Sequence, residues 1–332
     1  MPPAYPCYIQ ASMGSTAPFL LLSALPHWRG AAQTIAPDIC VRRLSALERA
    51  ALETSDQQLL HHDLDAAARD GWWICHEFEN VPPSEAVAHR RRREAAFKRT
   101  LYATYAIQIL LPIGAPNLSL LYRHDGNSLI LESTRHRPAY TGTIWAHLCD
   151  VSAPFDDCIS TVLDRVQDVF QKPTLRLQIP IWLFEQGLIA ADRHIRLLLW
   201  ATGLDGITRA GGISAFGDRL CSLLGPDTHV FPSCATHPLP KYKVAEVVGD
   251  LYRLRTEMAH GLPFHEKFRK KGGFLGSDDR PIAGDFAGWR YDQVLEECAA
   301  FLLCRTLQEI LLHNRVFDVR ANCWSDSIGT SA

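Results

Sequence analysis

From Phe155 onward, apolar residues recur every three or four positions in segment after segment. That periodicity restricts the second half of the chain to packed helices. Five segments carry it: Asp157–Phe170, Trp182–Ile207, Ser214–Leu224, Val244–His260 and Tyr291–Asn314. The connections hold the breakers: Lys172-Pro173, Gly211-Gly212, Gly225-Pro226 through Pro240, and Pro263 through Gly288. No repeat of fixed period links the segments, so a solenoid is excluded.

The first half reads differently. Residues 1–45 carry scattered Pro, Gly and Ser with little periodicity, which predicts an irregular, poorly ordered segment. A helix is expected from Leu44 to about Leu60, and a second from about Ser84 to Leu111, after the Pro82-Pro83 stop. Trp72-Trp73-Ile74 is expected to be buried. Leu118–Arg123, Ser128–Ser133 and Thr143–Leu148 read as short strands, with Asp125-Gly126-Asn127 turning between the first two. The 332 residues suggest roughly two domains. The expected class is α+β: a smaller mixed α/β N-terminal domain over 46–153, an all-α domain over 154–318, and a tail over 319–332.

Composition narrows the function classes. The chain is 47% apolar and 21% charged, enough for a full core. Its formal charge of −2 is silent on nucleic acid, so only local clusters speak to such a partner. The longest apolar candidate, Ala17 to Pro26, is far short of the ~18 residues of a membrane helix. It also lacks the basic flank of a signal peptide, and the ten cysteines show no framework spacing. A protein with reduced thiols in the cytoplasm, away from membranes, is expected. Cys75-His76, His147 with Cys149, and Cys234 with His237 offer ligand types but no repeated C-x2-C pairing, so no metal is expected. Walker, G-x-G-x-x-G and G-x-S-x-G motifs are missing, and no cofactor is expected.

The most informative stretch is YKVAEVVGDLYRLRTEMAHG, Tyr242 to Gly261. Val244, Val247, Val248, Leu251, Leu254 and Met258 form an apolar helical stripe. Gly261 stands where a left-handed cap belongs, and Pro263 forbids continuation. Near that end lie Arg255 and His260, about five residues and ~7.5 Å apart along the axis. They do not share a face, yet a long Arg side chain can converge with a terminal His on one phosphate. The negative end of the helix dipole favours positive charge at His260.

Together with LLLWATGLDGI (Leu197–Ile207), ISAFGDRLCSLLG (Ile213–Gly225), VFP (Val230–Pro232) and ECAAFLLCRTLQEIL (Glu297–Leu311), this helix resembles the Apea-like branch of the HEPN domain family. The resemblance covers about residues 180–315, and its most specific parts are LYRLRTEMAHG and the upstream F-x-x-R at Phe216 and Arg219. Residues 95–150 also resemble the N-terminal region that accompanies this branch in bacterial proteins.

The resemblance implies a helical bundle that acts as a metal-independent endoribonuclease, in bacterial stress or phage defence, or as a derived RNA-binding or regulatory protein. It implies catalytic roles for Arg255 and His260, and a homodimer that pools two such pairs in one cleft. The family often has Asn, Asp or His directly after the Arg; here it is Thr256, which can bond a phosphate but is no acid or base near neutrality. The family's acidic position falls at Asp205. The residue chemistry agrees with RNA cleavage: an imidazole moves protons, a guanidinium steadies phosphorane charge, and the substrate's own 2′-hydroxyl is the nucleophile.

Three more features have a functional and a plain reading. Tyr252, one turn before Arg255, is a candidate stacking residue or simply a buried tyrosine. Arg219 is a supporting site residue or a bridge between helices. Lys267, Arg269, Lys270 and Lys271 form a basic loop after the motif, able to hold RNA phosphates or merely to solubilise. The run His89 through Arg93, with Lys98 and Arg99, reads as a solvated helix face. A regulatory partner or ligand is expected at the N-terminal domain.

Overall fold

A computed structural model describes residues 17–25, 28, 31–56, 71–80, 85–110, 118–136, 158–172, 177–231, 241–261, 291–318 and 321–326. The protein is a mixed α/β structure in which a six-stranded antiparallel sheet precedes a set of packed helices. The sheet comprises β1 (Ala17–Leu25), β2 (Gln33–Ala36), β3 (Ile39–Arg43), β4 (Trp72–Asn80), β5 (Leu118–Asp125) and β6 (Ser128–His136). Its order is β2-β3-β4-β1-β5-β6, and every pairing is antiparallel.

Residues 17–43, expected to be irregular, instead supply three of these strands. The apolar run that invites comparison with a membrane segment is β1, paired on both sides, with Leu21 opposite His76 and Leu121. Phe19, Leu20, Leu21 and Leu22 are all buried, because β1 is covered on both faces. A continuous apolar run is what such a strand requires, so the period-2 signal is missing. Among the described residues, no helix is long and apolar enough to cross a membrane.

One face of the sheet, with Leu20, Leu22, Trp73, Leu120 and Tyr122, packs with Leu52 of α1 (Ala46–Asp56). The expected start near Leu44 moves to Ala46, because Ser45 and Glu48 exchange backbone and side-chain hydrogen bonds at 2.6 and 3.3 Å, a capping box. The other face packs against α2 (Ala86–Leu110). The expected strand at Thr143–Leu148 and the boundary near residue 153 lie outside the described residues. One apolar cluster joins Ile39, Val41 and Ile74 of the sheet, through Ile107 of α2, to the helices beyond.

Those helices are α3 (Cys158–Gln171), α4 (Gln178–Ile189), α5 (Arg193–Thr208), α6 (Ile213–Leu224), α7 (Val244–Ala259) and α8 (Tyr291–His313). The single helix expected over Trp182–Ile207 is two helices. Asp192 ends the first run by accepting hydrogen bonds from the backbone of His194 and Ile195 at 2.9 and 3.0 Å, which starts α5. Helix α8 is buried all round from Val294 to Cys304 apart from its ends, and it touches α2 through α7. Val247 and Leu251 of the expected stripe and Leu302 of α8 are fully buried, whereas Met258 of the stripe is only half-buried. The expected tail over 319–332 begins inside a hairpin of β7 (Arg315–Asp318) and β8 (Cys323–Asp326).

Side chains from neighbouring helices close several helix ends. Arg196 of α5 donates to Ala190 O and Ala191 O, beyond the end of α4, while its Nε donates to Glu296 of α8. Both side chains are at least nine-tenths buried. Truncating one member of such a pair strands a charge and several carbonyls. Arg196→Ala is therefore expected to destabilise the fold by about 3–5 kcal/mol. Urea denaturation of the variant checks this, and the Arg196→Met/Glu296→Leu pair should recover much of the loss.

Candidate functional site

The residues singled out by the sequence gather where the C-terminal ends of α5 and α7 meet. Asp205 stands in the last turn of α5, and Arg255 in the second half of α7. Arg255 Nη2 donates to Asp205 Oδ2 at 2.7 Å, across fifty residues of sequence. Both side chains are about four-fifths buried. The guanidinium also lies over the Tyr252 ring, 5.7 Å from its centre, and Tyr252 leans on the buried Phe216 at 5.2 Å. Tyr252 is thus half-buried and engaged with its own helix face, closer to the plain reading than to a free stacking platform.

The pair is not fully satisfied. Asp205 Oδ1 and Arg255 Nε are both buried with no hydrogen-bond partner among the described residues. Burial pushes the Asp205 carboxyl above its usual range, and the Arg255 charge offsets only part of that. A largely buried carboxylate beside a cation, with donor and acceptor atoms left over, is a common signature of a ligand site.

Thr256 turns back on its helix and donates to Tyr252 O at 2.8 Å. His260 is the C-cap of α7, its side chain exposed, and Gly261 follows with φ +63, the left-handed cap expected from sequence. Arg219 is a bridge between elements. Its Nη1 donates to Thr208 O and Arg209 O, each at 2.7 Å, its Nη2 reaches Asn322 Oδ1 at 3.2 Å, and its Cζ lies 4.3 Å from the centre of the Phe317 ring. It fixes the end of the helix that carries Asp205. Lys267, Arg269, Lys270 and Lys271 lie outside the described residues, as do His147, Cys149, Cys234 and His237. Among the described residues there is no group of three or more His, Cys, Asp or Glu placed to hold a metal.

Two polar clusters in the sheet layer were not foreseen. Asp38, in the β2–β3 turn, accepts both Nε and Nη2 of Arg99 at 2.6 and 2.7 Å, and lies 3.1 Å from His76 Nε2. His76 Nδ1 is 2.7 Å from the Thr100 hydroxyl. A tautomer with Nε2–H donating to Asp38 and Nδ1 accepting from Thr100 satisfies the chain. Cys40 and Cys75 stand opposite each other across β3 and β4. The hydrogen bond with Cys75 and the Arg42 charge pull the Cys40 thiol down, against burial. Residues 38, 76 and 99–100 come from a turn, a strand and a helix, so no sequence spacing announces them.

Searches of protein-family models, curated proteins and solved structures returned no match.

Two titrations follow from these geometries. Burial raises the Asp38 carboxyl, but its bonds to His76 and Arg99 outweigh that and hold it well below its usual range. A depressed carboxylate stabilises the fold above its ordinary value and withdraws that help as pH falls through it. Thermal stability should therefore drop below about pH 4, and Asp38→Asn should flatten that drop. Asp205 has the opposite sign: the fold prefers its proton, so its contribution fades as pH rises. Carboxyl NMR should give Asp205 a midpoint above the ordinary Asp value, and Arg255→Leu should raise it further by removing the offsetting charge.

Proposed function

We propose that the protein is a metal-independent endoribonuclease of the HEPN type, working through Arg255 and His260. The observation that carries the reading is the Arg255–Asp205 pair, 2.7 Å apart at the junction of two helix ends, one turn or so from an exposed terminal histidine. In this reading the 2′-hydroxyl of RNA loses its proton and attacks the adjacent phosphorus. The 5′-oxygen leaves with a proton, giving a 2′,3′-cyclic phosphate and a new 5′-hydroxyl. His260 moves one of these protons. Arg255, oriented by Asp205, stabilises the charge on the pentacoordinate phosphorus with its remaining donors. One pair per chain supplies one proton carrier, so two copies about a two-fold axis complete the acid and the base. Arg219 and Tyr252 act as positioning residues, the first on the end of α5 and the second beneath the guanidinium. RNA is the partner, and Lys267, Arg269, Lys270 and Lys271 add phosphate contacts.

A second reading, an RNA-binding or regulatory dimer without cleavage, draws support from Thr256, whose hydroxyl is already engaged with its own helix. Purified protein incubated with total RNA in EDTA separates the two. The nuclease reading expects cleavage with cyclic-phosphate ends. Arg255→Ala and His260→Ala should each lower it by about 10²–10³-fold while leaving the circular dichroism unchanged. RNA retained without cleavage favours the second reading, and an unfolded Arg255→Ala returns the pair to a structural role.

A further inference from the structure

The sheet layer carries a cavity of about 460 Å³ between the N-terminal half of α2 and the edge strand β6. Its origin is geometric. Helix α2 packs chiefly on β4 and β1, which leaves the β5–β6 edge of the sheet less covered. The volume lies within the ~300–1,000 Å³ of pockets that enclose small organic ligands.

The helix wall has a repeating placement. Arg90, Arg93, Glu94 and Phe97 stand at i, i+3, i+4 and i+7, one face of α2, and all line the cavity. His89 joins them, held edge-on against Phe19 at 5.7 Å. On the strand wall Ser133, paired with Leu121, turns its hydroxyl to the α2 side, while Thr134, paired with Leu120, lines the cavity by its backbone. Local carboxylates offset the cations only in part. Glu132 is bound by Arg123 at 2.9 Å, leaving Arg93 a long 3.9 Å contact to it. Arg90 is exposed and has no ion pair among the described residues.

This set of groups has distinct chemistry at its two ends. Two guanidiniums three residues apart, with the Ser133 hydroxyl opposite, match the oxygens of a phosphate. Glu94 repels a bare anion but accepts hydrogen bonds from hydroxyl or amino groups. Phe97 belongs to the apolar cluster of Phe19, Leu21 and Leu121 and offers a flat ring surface. We propose that this cavity binds a nucleoside phosphate: phosphate on Arg90, Arg93 and Ser133, ribose hydroxyls on Glu94, base against Phe97. The site is separate from the Arg255–Asp205 pair and does not depend on that pair's chemistry. The run from His89 to Arg93, expected to be a solvated face, thereby splits. Arg91 and Arg92 face solvent, while Arg90 and Arg93 serve the cavity.

Calorimetric titration of the full chain with the four 5′-ribonucleoside monophosphates, inorganic phosphate and adenosine tests this. At least one monophosphate should bind with a Kd below about 1 mM, with phosphate and adenosine each at least about 10-fold weaker. The Arg90→Ala/Arg93→Ala double variant should lose about 10-fold or more, while Arg91→Ala, on the outer face, should keep the parent affinity. Circular dichroism confirms that the variants fold, which exposed positions on one helix surface permit. Three outcomes overturn the proposal: no monophosphate binding up to about 5 mM, phosphate binding as tightly as the monophosphates, or binding that the double variant leaves unchanged.

Discussion

The last carbonyls of a helix have no partner within it, and in a structure of closely packed helices water cannot reach all of them. In this protein, side chains from neighbouring helices supply many of the missing donors. Gln308 of α8 reaches Ile109 O and Leu110 O at the end of α2, at 2.6 and 3.3 Å, with the Cys304 thiol also on Ile109 O. Arg196 closes α4, Arg219 closes α5, and Gln178 bonds Val169 O near the end of α3 at 2.6 Å. Each bond ties the end of one element to the body of another. The helices are thereby fixed at their ends as well as along their apolar stripes. The buried α8, which touches all the helices from α2 to α7, is the frame on which these ends are set.

The candidate site is a by-product of the same arrangement. Arg219 holds the end of α5, which fixes where Asp205 stands, and the packing of Phe216 against Tyr252 sets the face of α7 from which Arg255 reaches across. The contrast with Arg196 and Glu296 is physical. Arg196 meets a carboxylate and two carbonyls in a dry seam, a structural assignment with its donors engaged. The Asp205–Arg255 pair has one strong bond, a buried oxygen and a buried Nε without partners, and a carboxyl that burial disfavours. Stability alone gives little reason to keep such a pair, which is why it carries the functional reading.

Helix α2 is the element that the two layers share. Its N-terminal half forms one wall of the cavity over the sheet, its C-terminal half bonds Tyr105 to the buried Glu185 of α4, and its end is capped by α8. The helices and part of the sheet share one apolar core, which includes Leu25, Ile74 and Leu311, whereas Phe97 at the cavity packs in a separate cluster with Phe19, Leu21 and Leu121.

The sequence by itself determined the helical second half, the stop at Gly261 and the hairpin at Asp125–Ser128, because caps, turns and 3.6-residue stripes are local physics, while Asp205, Arg255 and His260 became candidates through the resemblance to a HEPN helix. It did not reveal β1, whose burial on both faces removes the alternation by which a strand is read. It also ran α4 and α5 together, since Asp192 caps a helix with two short bonds that leave no gap in the apolar pattern. Which donors meet which acceptors was decided only by tertiary structure. Asp205 with Arg255 and Asp38 with His76 and Arg99 are juxtaposed by elements packing at particular angles, and sequence separation carries no trace of that geometry.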